Sequence, residues 1–343
     1  MPNTVYVHVG TEKTGSTFLQ SLIEKNEAVF AKNNLYWVKS GLESGHHYWI
    51  AKSLGFKYNP GFINENAEKR AIENLVNEIS GCNGNTDLLL SSEHFDFNLN
   101  AVNSFNLVNF FKGWKVVVLL FVRNQVDYCQ SLYIEHLKWG GVENLESFID
   151  QTLRQDRYNY LRRYDTWCEA GAEVRVVDYD NNVKNITGAF LKELDCYKLF
   201  EHIGVPSEKS NLSPSIDFME FVRLVNFGIP VEKRRSFYEQ ALSFYSNEEL
   251  FFEKRMFSMP AIFEKVVRQE NINNKELAKK LELNHDFLGG SLEDKLICRN
   301  RFAPPDLGLV IEKALGFTYE ALPQSPSYEP EPPICNWMAA FWY

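Results

Sequence analysis

The most constraining feature of the sequence is a pair of uninterrupted apolar runs in its first half, "DLLLSSE" (87–93) and "KVVVLLFVR" (115–123). A run that is apolar at every position is typical of a parallel strand buried on both faces. Shorter strand-like segments, "TVYVHV" (4–9), "LYWV" (35–38) and "AEVRVVDY" (172–179), alternate with helical patterns. We therefore predict an α/β fold in which helices flank a parallel sheet in three layers, with ligands beyond the carboxyl ends of the strands.

Apolar residues recur at helical spacing in four segments of this first part, residues 16–26, 67–80, 125–138 and 157–169. Beyond about residue 215 the strand-like runs stop, and four segments read as helices: "DFMEFVRLVNF", "RRSFYEQALSFY", "AIFEKVVRQE" and "NKELAKKLEL". We expect a nucleotide-binding domain over residues 1–215 and a helical extension over residues 216–343 packed on it. The aromatic end of the chain is predicted to form a tail over an apolar groove, with a partner-docking peptide as the alternative.

The composition excludes several classes of function. The 343-residue chain carries a net charge of −9, which argues against a nucleic-acid binder because a phosphate backbone needs a basic face. No apolar run reaches membrane-spanning length, and no leader precedes the first strand. The six cysteines are scattered without the spacing of a zinc site, so we expect no metal and reduced thiols in a cytoplasm.

A short glycine-bounded loop follows the first predicted strand, in the stretch "HVGTEKTGSTFLQ". The common nucleotide loop reads G-x-x-x-x-G-K-[ST]. Gly10 and Gly15 keep the spacing of its glycines, but Ser16 replaces the lysine and Lys13 lies inside the loop. The N–H groups of such a loop and the positive end of the next helix attract an anion. The alternative is a helix that Ser16 or Thr17 caps without any ligand.

The strand over residues 115–123 ends in Arg123 and Asn124, where a nucleoside triphosphatase would have a carboxylate for its metal. An arginine at this point suits a second anion, and Ser131 follows eight residues later on a predicted helix. No lysine follows Gly15 either. Two anion sites without a metal-holding carboxylate fit a nucleotide with two separate phosphate groups better than they fit ATP.

The stretches "EKTGSTFLQ" and "FVRNQVDYCQSLY" resemble the two nucleotide motifs of sulfotransferases. Those motifs are usually written P-K-x-G-[ST]-[ST] and R-[ND]-P-x-x-x-x-x-S. The resemblance covers about residues 4–215, with Glu12 and Gln125 in place of the two prolines. It implies the donor 3′-phosphoadenosine-5′-phosphosulfate (PAPS). By this resemblance the 5′ end of the donor is held by Lys13, Thr14, Gly15, Ser16 and Thr17, and its 3′-phosphate by Arg123 and Ser131.

An acceptor hydroxyl needs a base within hydrogen-bond reach. The run "DLLLSSEHF" ends in Glu93 and His94 at the predicted carboxyl edge of the sheet. By the resemblance, glycan-modifying sulfotransferases use a glutamate near this position and small-molecule ones a histidine. Side chains alternate along a strand, so only one of the two should face the site, and we favour Glu93 over His94. Either side chain could instead cap the next helix. His47, at the start of a predicted helix, is a further candidate for the acceptor pocket.

The sequence therefore predicts a sulfotransferase that moves a sulfuryl group from PAPS to a hydroxyl of a small molecule or glycan. A carbohydrate acceptor is what the bacterial members of the family suggest. An ATP-dependent small-molecule kinase on the same loop is one alternative, and it would require ATP and magnesium. A non-catalytic nucleotide-binding or interaction module is another, and it would bind the donor without turnover. The sequence identifies neither the acceptor nor the oligomeric state.

Overall fold

The computed structural model describes residues 3–57, 64–82, 84–206, 214–245, 256–257, 260–283, 288 and 302–303. The chain divides into two compact units. The first contains Met1–Asn124, Asn159–Ser207 and Ile272–Ser291, and the second contains Gln125–Tyr158, Glu208–Asn271 and Leu292–Tyr343. These units alternate along the chain and coincide with neither residues 1–215 nor residues 216–343. The division into a nucleotide-binding domain and a helical extension stays a prediction.

The strands of the first unit are β1 (Thr4–Gly10), β2 (Leu35–Trp37), β3 (Asp87–Ser91), β4 (Lys115–Val122) and β5 (Glu173–Asp178). The helices are, in chain order, α1 (Ser16–Lys25), α2 (Glu27–Lys32), α3 (Tyr48–Ser53), α4 (Glu65–Ser80), α5 (Ala101–Phe110), α6 (Gln125–Lys138), α7 (Leu145–Arg154), α8 (Tyr160–Glu169), α9 (Tyr179–Asn182), α10 (Ile186–Glu193), α11 (Ile216–Gly228), α12 (Val231–Tyr245) and α13 (Pro260–Lys280). Short 3₁₀ turns lie at Glu93–Asp96, Val183–Asn185 and Tyr197–His202.

The first unit is built on a five-stranded parallel sheet with the strand order β2-β3-β1-β4-β5. From β1 the chain leads to β2, at one edge of the sheet. From β4 it leads to β5, at the opposite edge. The connections after β1 and β4 therefore leave the sheet in opposite directions. In open α/β sheets such a switch point opens a crevice at the carboxyl edge, where ligands bind. The predicted α/β fold, with helices flanking a parallel sheet, is confirmed.

One face of the sheet forms a hydrophobic core with α1 and α10. Alternation along the strands turns Tyr6 of β1 and Phe121 of β4 to this face, where they cluster with Leu22 of α1 and Phe190 of α10. Leu22, Phe121 and Phe190 have no exposed surface. Burying an apolar side chain of this size contributes about 1.5–3 kcal/mol, so the core fixes α1 against the end of β1.

The second unit contains α6, α7, α11 and α12, which pack through aromatic side chains. Phe221 of α11 lies near Phe237 and Tyr245 of α12, with ring centroids 5.9 and 5.6 Å apart. Tyr133 of α6 lies 5.4 Å from Phe148 of α7 by the same measure. These separations are typical of favourable aromatic pairs. The helical spacing predicted for the segments of α11 and α12 is confirmed.

Two details of the later chain differ from the prediction. The segments at residues 261–270 and 274–283 form a single helix, α13, because no glycine or proline lies between them to end it. Two further strands of two residues each, β6 (Met256–Phe257) and β7 (Phe302–Ala303), pair in parallel. The sequence did not predict them, because two residues are too few to show the alternation of a strand. The predicted aromatic tail lies outside the described residues.

Candidate functional site

The loop after β1 is tied to the neighbouring strand β4 before it enters α1. The N–H and the hydroxyl of Thr11 both donate to the carbonyl of Phe121, at 3.2 and 3.1 Å. The hydroxyl of Thr14 donates to the carbonyl of Thr11 at 2.5 Å, and neither threonine has exposed surface. The two threonines therefore anchor the loop. The predicted donor ligand Thr14 uses its hydroxyl within the loop itself.

Two residues of the loop have left-handed backbone conformations, Lys13 with φ 64° and Gly15 with φ 80°. The conformation costs a non-glycine residue about 1–2 kcal/mol, and such strain often lies at ligand-binding loops. Gly15 is the N-cap of α1, and Ser16 and Thr17 are the first residues inside the helix. The alternative in which Ser16 or Thr17 caps the helix is therefore wrong. The N-cap residue has no side chain that could occupy the first N–H groups of α1.

Arg123, at the end of β4, contacts the same loop. Its Nη1 donates to the carbonyl of Lys13 at 3.2 Å, and its own carbonyl accepts from the hydroxyl of Tyr160 at 2.8 Å. Its Nε lies 3.6 Å from Oδ1 of Asp180. The backbone N–H of Asn124 donates to the other oxygen of this carboxylate at 2.6 Å. The structure thus brings together residues of the two stretches that the sequence singled out for anion binding.

Tyr179 and Asp180 belong to the surroundings of the loop, and sequence reasoning missed both. The guanidinium carbon of Arg123 lies 5.4 Å from the centre of the Tyr179 ring. A Cβ on Gly15 would lie 3.2 Å from Cε2 of the same ring. The two residues directly follow β5, so the end of a third parallel strand was the signal that could have found them.

Glu93 and His94 lie in the 3₁₀ turn after β3 and not on the strand itself. The strand ends at Ser91, and the hydroxyl of Ser92 accepts from the N–H of His94 at 3.2 Å. We expected Glu93 and His94 to point to opposite faces of an extended strand. That prediction is wrong, because Ser92 caps the turn and ends the extended backbone before Glu93. Glu93 is half-buried, whereas His94 is only 5% exposed.

His94 belongs to this turn, and His46 and His47 lie beside its start. The rings of His46 and His94 are stacked with centroids 5.2 Å apart, and Tyr48 meets His94 edge-on at 4.6 Å. His47 has no exposed surface. Its Nε2 donates to the carbonyl of Val38 at 2.9 Å, and its Nδ1 accepts from the N–H of Ser91 at 3.0 Å. His47 thus joins backbone segments inside the unit, and its position does not support a contact with the acceptor.

Burial keeps the histidines at this edge uncharged. Desolvation lowers the pKa of His47 to about 4 and that of His8, on β1, to about 3. Burial also lowers the pKa of His94 well below its ordinary value of 6.5. The pKa of His46 falls for the same reason, although the charges of Glu93 and Glu43 oppose the change. At neutral pH these imidazoles therefore add hydrogen-bonding groups but no positive charge.

Ser131 lies on α6 in the second compact unit. Its hydroxyl donates to the carbonyl of Asp127 at 2.9 Å, one helical turn earlier. Its contact with the 3′-phosphate of a donor stays a prediction. Within the described part of the chain, no group of three or more histidine, cysteine, aspartate and glutamate side chains is arranged to hold a metal ion.

Similarity to known proteins is found among solved structures. No family model matches the sequence, and no curated protein matches it. The chain is similar to the crystal structure of a sulfotransferase from Alicyclobacillus acidocaldarius, with a TM-score of 0.45 and 12% sequence identity. The alignment covers 83% of this chain and 97% of that chain. None of the described helices is both long and apolar enough to cross a membrane.

Gly15→Ala should destabilise the protein more than Gly45→Ala. The two glycines have nearly the same backbone, φ 80° and 81°, so each alanine costs about 1–2 kcal/mol of left-handed strain. Only at Gly15 does the added methyl meet a neighbour, the Tyr179 ring, whereas nothing lies within 4 Å at Gly45. Urea unfolding of both variants measures the difference. Equal losses of unfolding free energy would contradict the prediction and would mean that the Tyr179 ring moves aside with no energetic penalty.

Stability should fall as the pH drops from about 6.5 towards 4. The unfolded chain protonates His8 and His47 near the ordinary pKa of 6.5, whereas the folded protein holds them neutral down to about 3 and 4. The unfolded state therefore binds more protons in this window, and each such histidine removes about 1.4 kcal/mol per pH unit. The unfolding free energy measured at several pH values gives the slope. His47→Gln should reduce the slope, and an unchanged slope in this variant would contradict the prediction.

Proposed function

We propose that this protein is a sulfotransferase that moves the sulfuryl group of PAPS to an acceptor hydroxyl, with a carbohydrate as the acceptor class. The observation that carries the proposal is the contact between the two stretches that resemble the nucleotide motifs. Arg123 donates to the carbonyl of Lys13 in the loop between β1 and α1. Both residues lie at the carboxyl edge of the sheet, beside the switch point between β1 and β4.

The loop would bind the 5′ end of the donor. Lys13 supplies a full positive charge, and the first N–H groups of α1 supply the partial charge of a helix N-terminus. Arg123 would bind the 3′-phosphate, and the contribution of Ser131 stays a prediction from the sequence. The ion pair with Asp180 and the ring of Tyr179 hold the Arg123 guanidinium in place. The side chain therefore loses less conformational entropy when the donor binds.

The reaction would be an in-line displacement. The acceptor oxygen attacks the sulfur, and the bond between the sulfur and the bridging oxygen breaks, so that 3′-phosphoadenosine 5′-phosphate leaves. Lys13 and the N–H groups of the loop would stabilise the charge that develops on the bridging oxygen. Glu93 would accept the proton of the acceptor hydroxyl as a general base. Its half-buried position beside the loop helix supports this choice over the more buried His94.

A screen with radiolabelled PAPS tests the function directly. The purified protein is incubated with the labelled donor and with a panel of carbohydrates, glycolipids and phenols. Label transferred to a carbohydrate supports the proposal, and transfer only to phenols contradicts the acceptor class. Magnesium-dependent transfer from ATP would identify a kinase instead. Tight binding of the donor with no transfer to any acceptor would favour a non-catalytic module.

The protein should bind 3′-phosphoadenosine 5′-phosphate more tightly than AMP or ATP, because Arg123 adds an interaction with the 3′-phosphate. Arg123→Ala should weaken this binding by about 2–4 kcal/mol, the range for truncating one partner of a buried charge pair. Isothermal titration calorimetry measures both quantities. Equal affinity of the unaltered protein for AMP would rule out the proposed role of Arg123.

Arg175→Ala is the matched control for this measurement. Arg175 lies on β5 and, like Arg123, it forms ion pairs with carboxylates, in this case those of Glu173 and Asp195. Its side chain is 19% exposed, close to the 24% of Arg123. The substitution should leave nucleotide affinity unchanged, so a comparable loss would indicate a general effect of removing an arginine.

Substitutions of Lys13 and Glu93 should have different effects, because the two residues act on opposite sides of the sulfuryl group. Lys13→Ala should lower kcat strongly and also weaken donor binding, since its charge acts on the donor and most of all in the transition state. Glu93→Gln should lower kcat by about 10²–10⁴-fold and leave donor affinity nearly unchanged. Single-turnover rates and donor affinities measure both effects.

His94→Ala is the control that identifies the base. If Glu93→Gln keeps normal turnover and His94→Ala abolishes it, the base is His94. If both variants remain fully active, neither residue is the base, and the assignment of this turn to the acceptor side is wrong.

A further inference from the structure

Gln20 connects the loop helix to the turn that carries Glu93. It lies on α1 one turn after Ser16, so the two side chains share a face of the helix. The Gln20 side chain is buried, at 7% exposure. Its Nε2 donates to Oε2 of Glu93 at 3.4 Å and to the hydroxyl of Ser91 at 3.3 Å. The two N–H groups of one amide can serve both acceptors.

The Ser91 end of this connection is anchored by a buried histidine. His8 and Ser91 are partners in the parallel pairing of β1 with β3, and their side chains point to the same face as α1. The Nδ1 of His8 lies 2.7 Å from the hydroxyl oxygen of Ser91. The rings of Phe121 and Phe190 meet the imidazole edge-on, with centroids 4.9 and 5.5 Å away. The packing leaves the imidazole little room to move.

The connection from His8 through Ser91 and Gln20 to Glu93 positions a group and does not conduct protons. Burial lowers the pKa of His8 to about 3, so the imidazole stays neutral at the pH values where the protein would work. An amide cannot exchange a proton with a carboxylate in this range, and it adds no charge. The Gln20 amide therefore holds the Glu93 carboxylate without placing a positive charge beside it.

We propose that Gln20 is a positioning residue that holds one oxygen of the Glu93 carboxylate, anchored through Ser91 to His8, and leaves the other oxygen for the acceptor. The catalytic meaning of this arrangement rests on the proposed function. α1 begins at the end of the donor loop, so a single helix would set the position of the donor and that of the base. A displacement of Gln20 would change the distance between them.

The contact itself is tested without any assay of activity. In protein labelled with ¹³C at the glutamate carboxyls, the NMR signal of Glu93 is assigned by its loss in Glu93→Gln. Gln20→Met keeps the size of the side chain and removes the donor, so the carboxyl chemical shift of Glu93 at a fixed neutral pH should change. The neighbouring His46 is present in both proteins and cancels in the comparison. An unchanged chemical shift would overturn the proposal.

Gln20→Asn is a second variant, which keeps the amide but shortens its reach by one methylene. It should change the Glu93 chemical shift as Gln20→Met does, and it replaces that variant if Gln20→Met prevents folding. Glu24→Gln is the control, because Glu24 lies one turn later on α1 and is exposed. It should leave the Glu93 chemical shift unchanged. A shift of equal size in Glu24→Gln would mean that the effect is general and would overturn the proposal.

The kinetic measurement separates positioning from a structural role. With labelled PAPS and an active acceptor, Gln20→Met should lower kcat about 10–100-fold, the effect of losing a hydrogen bond to a charged group, while donor affinity stays unchanged. Loss of donor affinity to the same degree would show that Gln20 only stabilises α1. If the unaltered protein transfers no sulfuryl group but the Glu93 chemical shift still changes in Gln20→Met, the proposed function fails and the positioning of Glu93 by Gln20 stands.

Discussion

The pairing of β1 with β3 on one side and β4 on the other is the constraint on which the rest of the first unit depends. Because the strands are parallel, their carboxyl ends meet at one edge. At this edge Thr11 binds the carbonyl of Phe121, which ties the loop to β4. On the other side the N–H of Ser92 donates to the carbonyl of His8 at 3.1 Å, which ties the turn containing Glu93 to β1. The proposed donor loop continues from the end of β1 and the turn with the proposed base is bonded to β1, so both lie beside the end of this strand.

The polar groups buried at this edge make it rigid, and they also make the stability of the fold depend on pH. His47 is surrounded by the unit, yet its ring nitrogens are hydrogen-bonded to backbone groups of Val38 and Ser91. A buried polar group that makes such bonds avoids most of its desolvation cost as long as it remains neutral. Protonation would place an uncompensated charge in this interior. The same burial that orders this edge therefore makes the fold sensitive to acid.

Much of the fold could be predicted because its signals are local. The continuous apolar run of β4 indicated a strand buried on both faces, and the apolar spacing after Gly15 indicated α1. The glycine spacing and the arginine at the end of β4 indicated the loop and its neighbour. Prediction was wrong at Glu93 and His94, where the hydroxyl of Ser92 ends the strand early. A capping hydrogen bond of this kind leaves no periodicity in a sequence.

By itself, then, the sequence determined the parallel α/β architecture and predicted an anion-binding loop and candidate bases, since periodicity, glycine spacing and residue chemistry are properties of short segments. Only the tertiary structure decided which partners these residues have. Asp180 meets Arg123 from the end of β5, and Gln20 meets Glu93 across 73 positions of the chain. Such contacts arise because the sheet brings distant strand ends to one edge, and no local pattern encodes the distance between them.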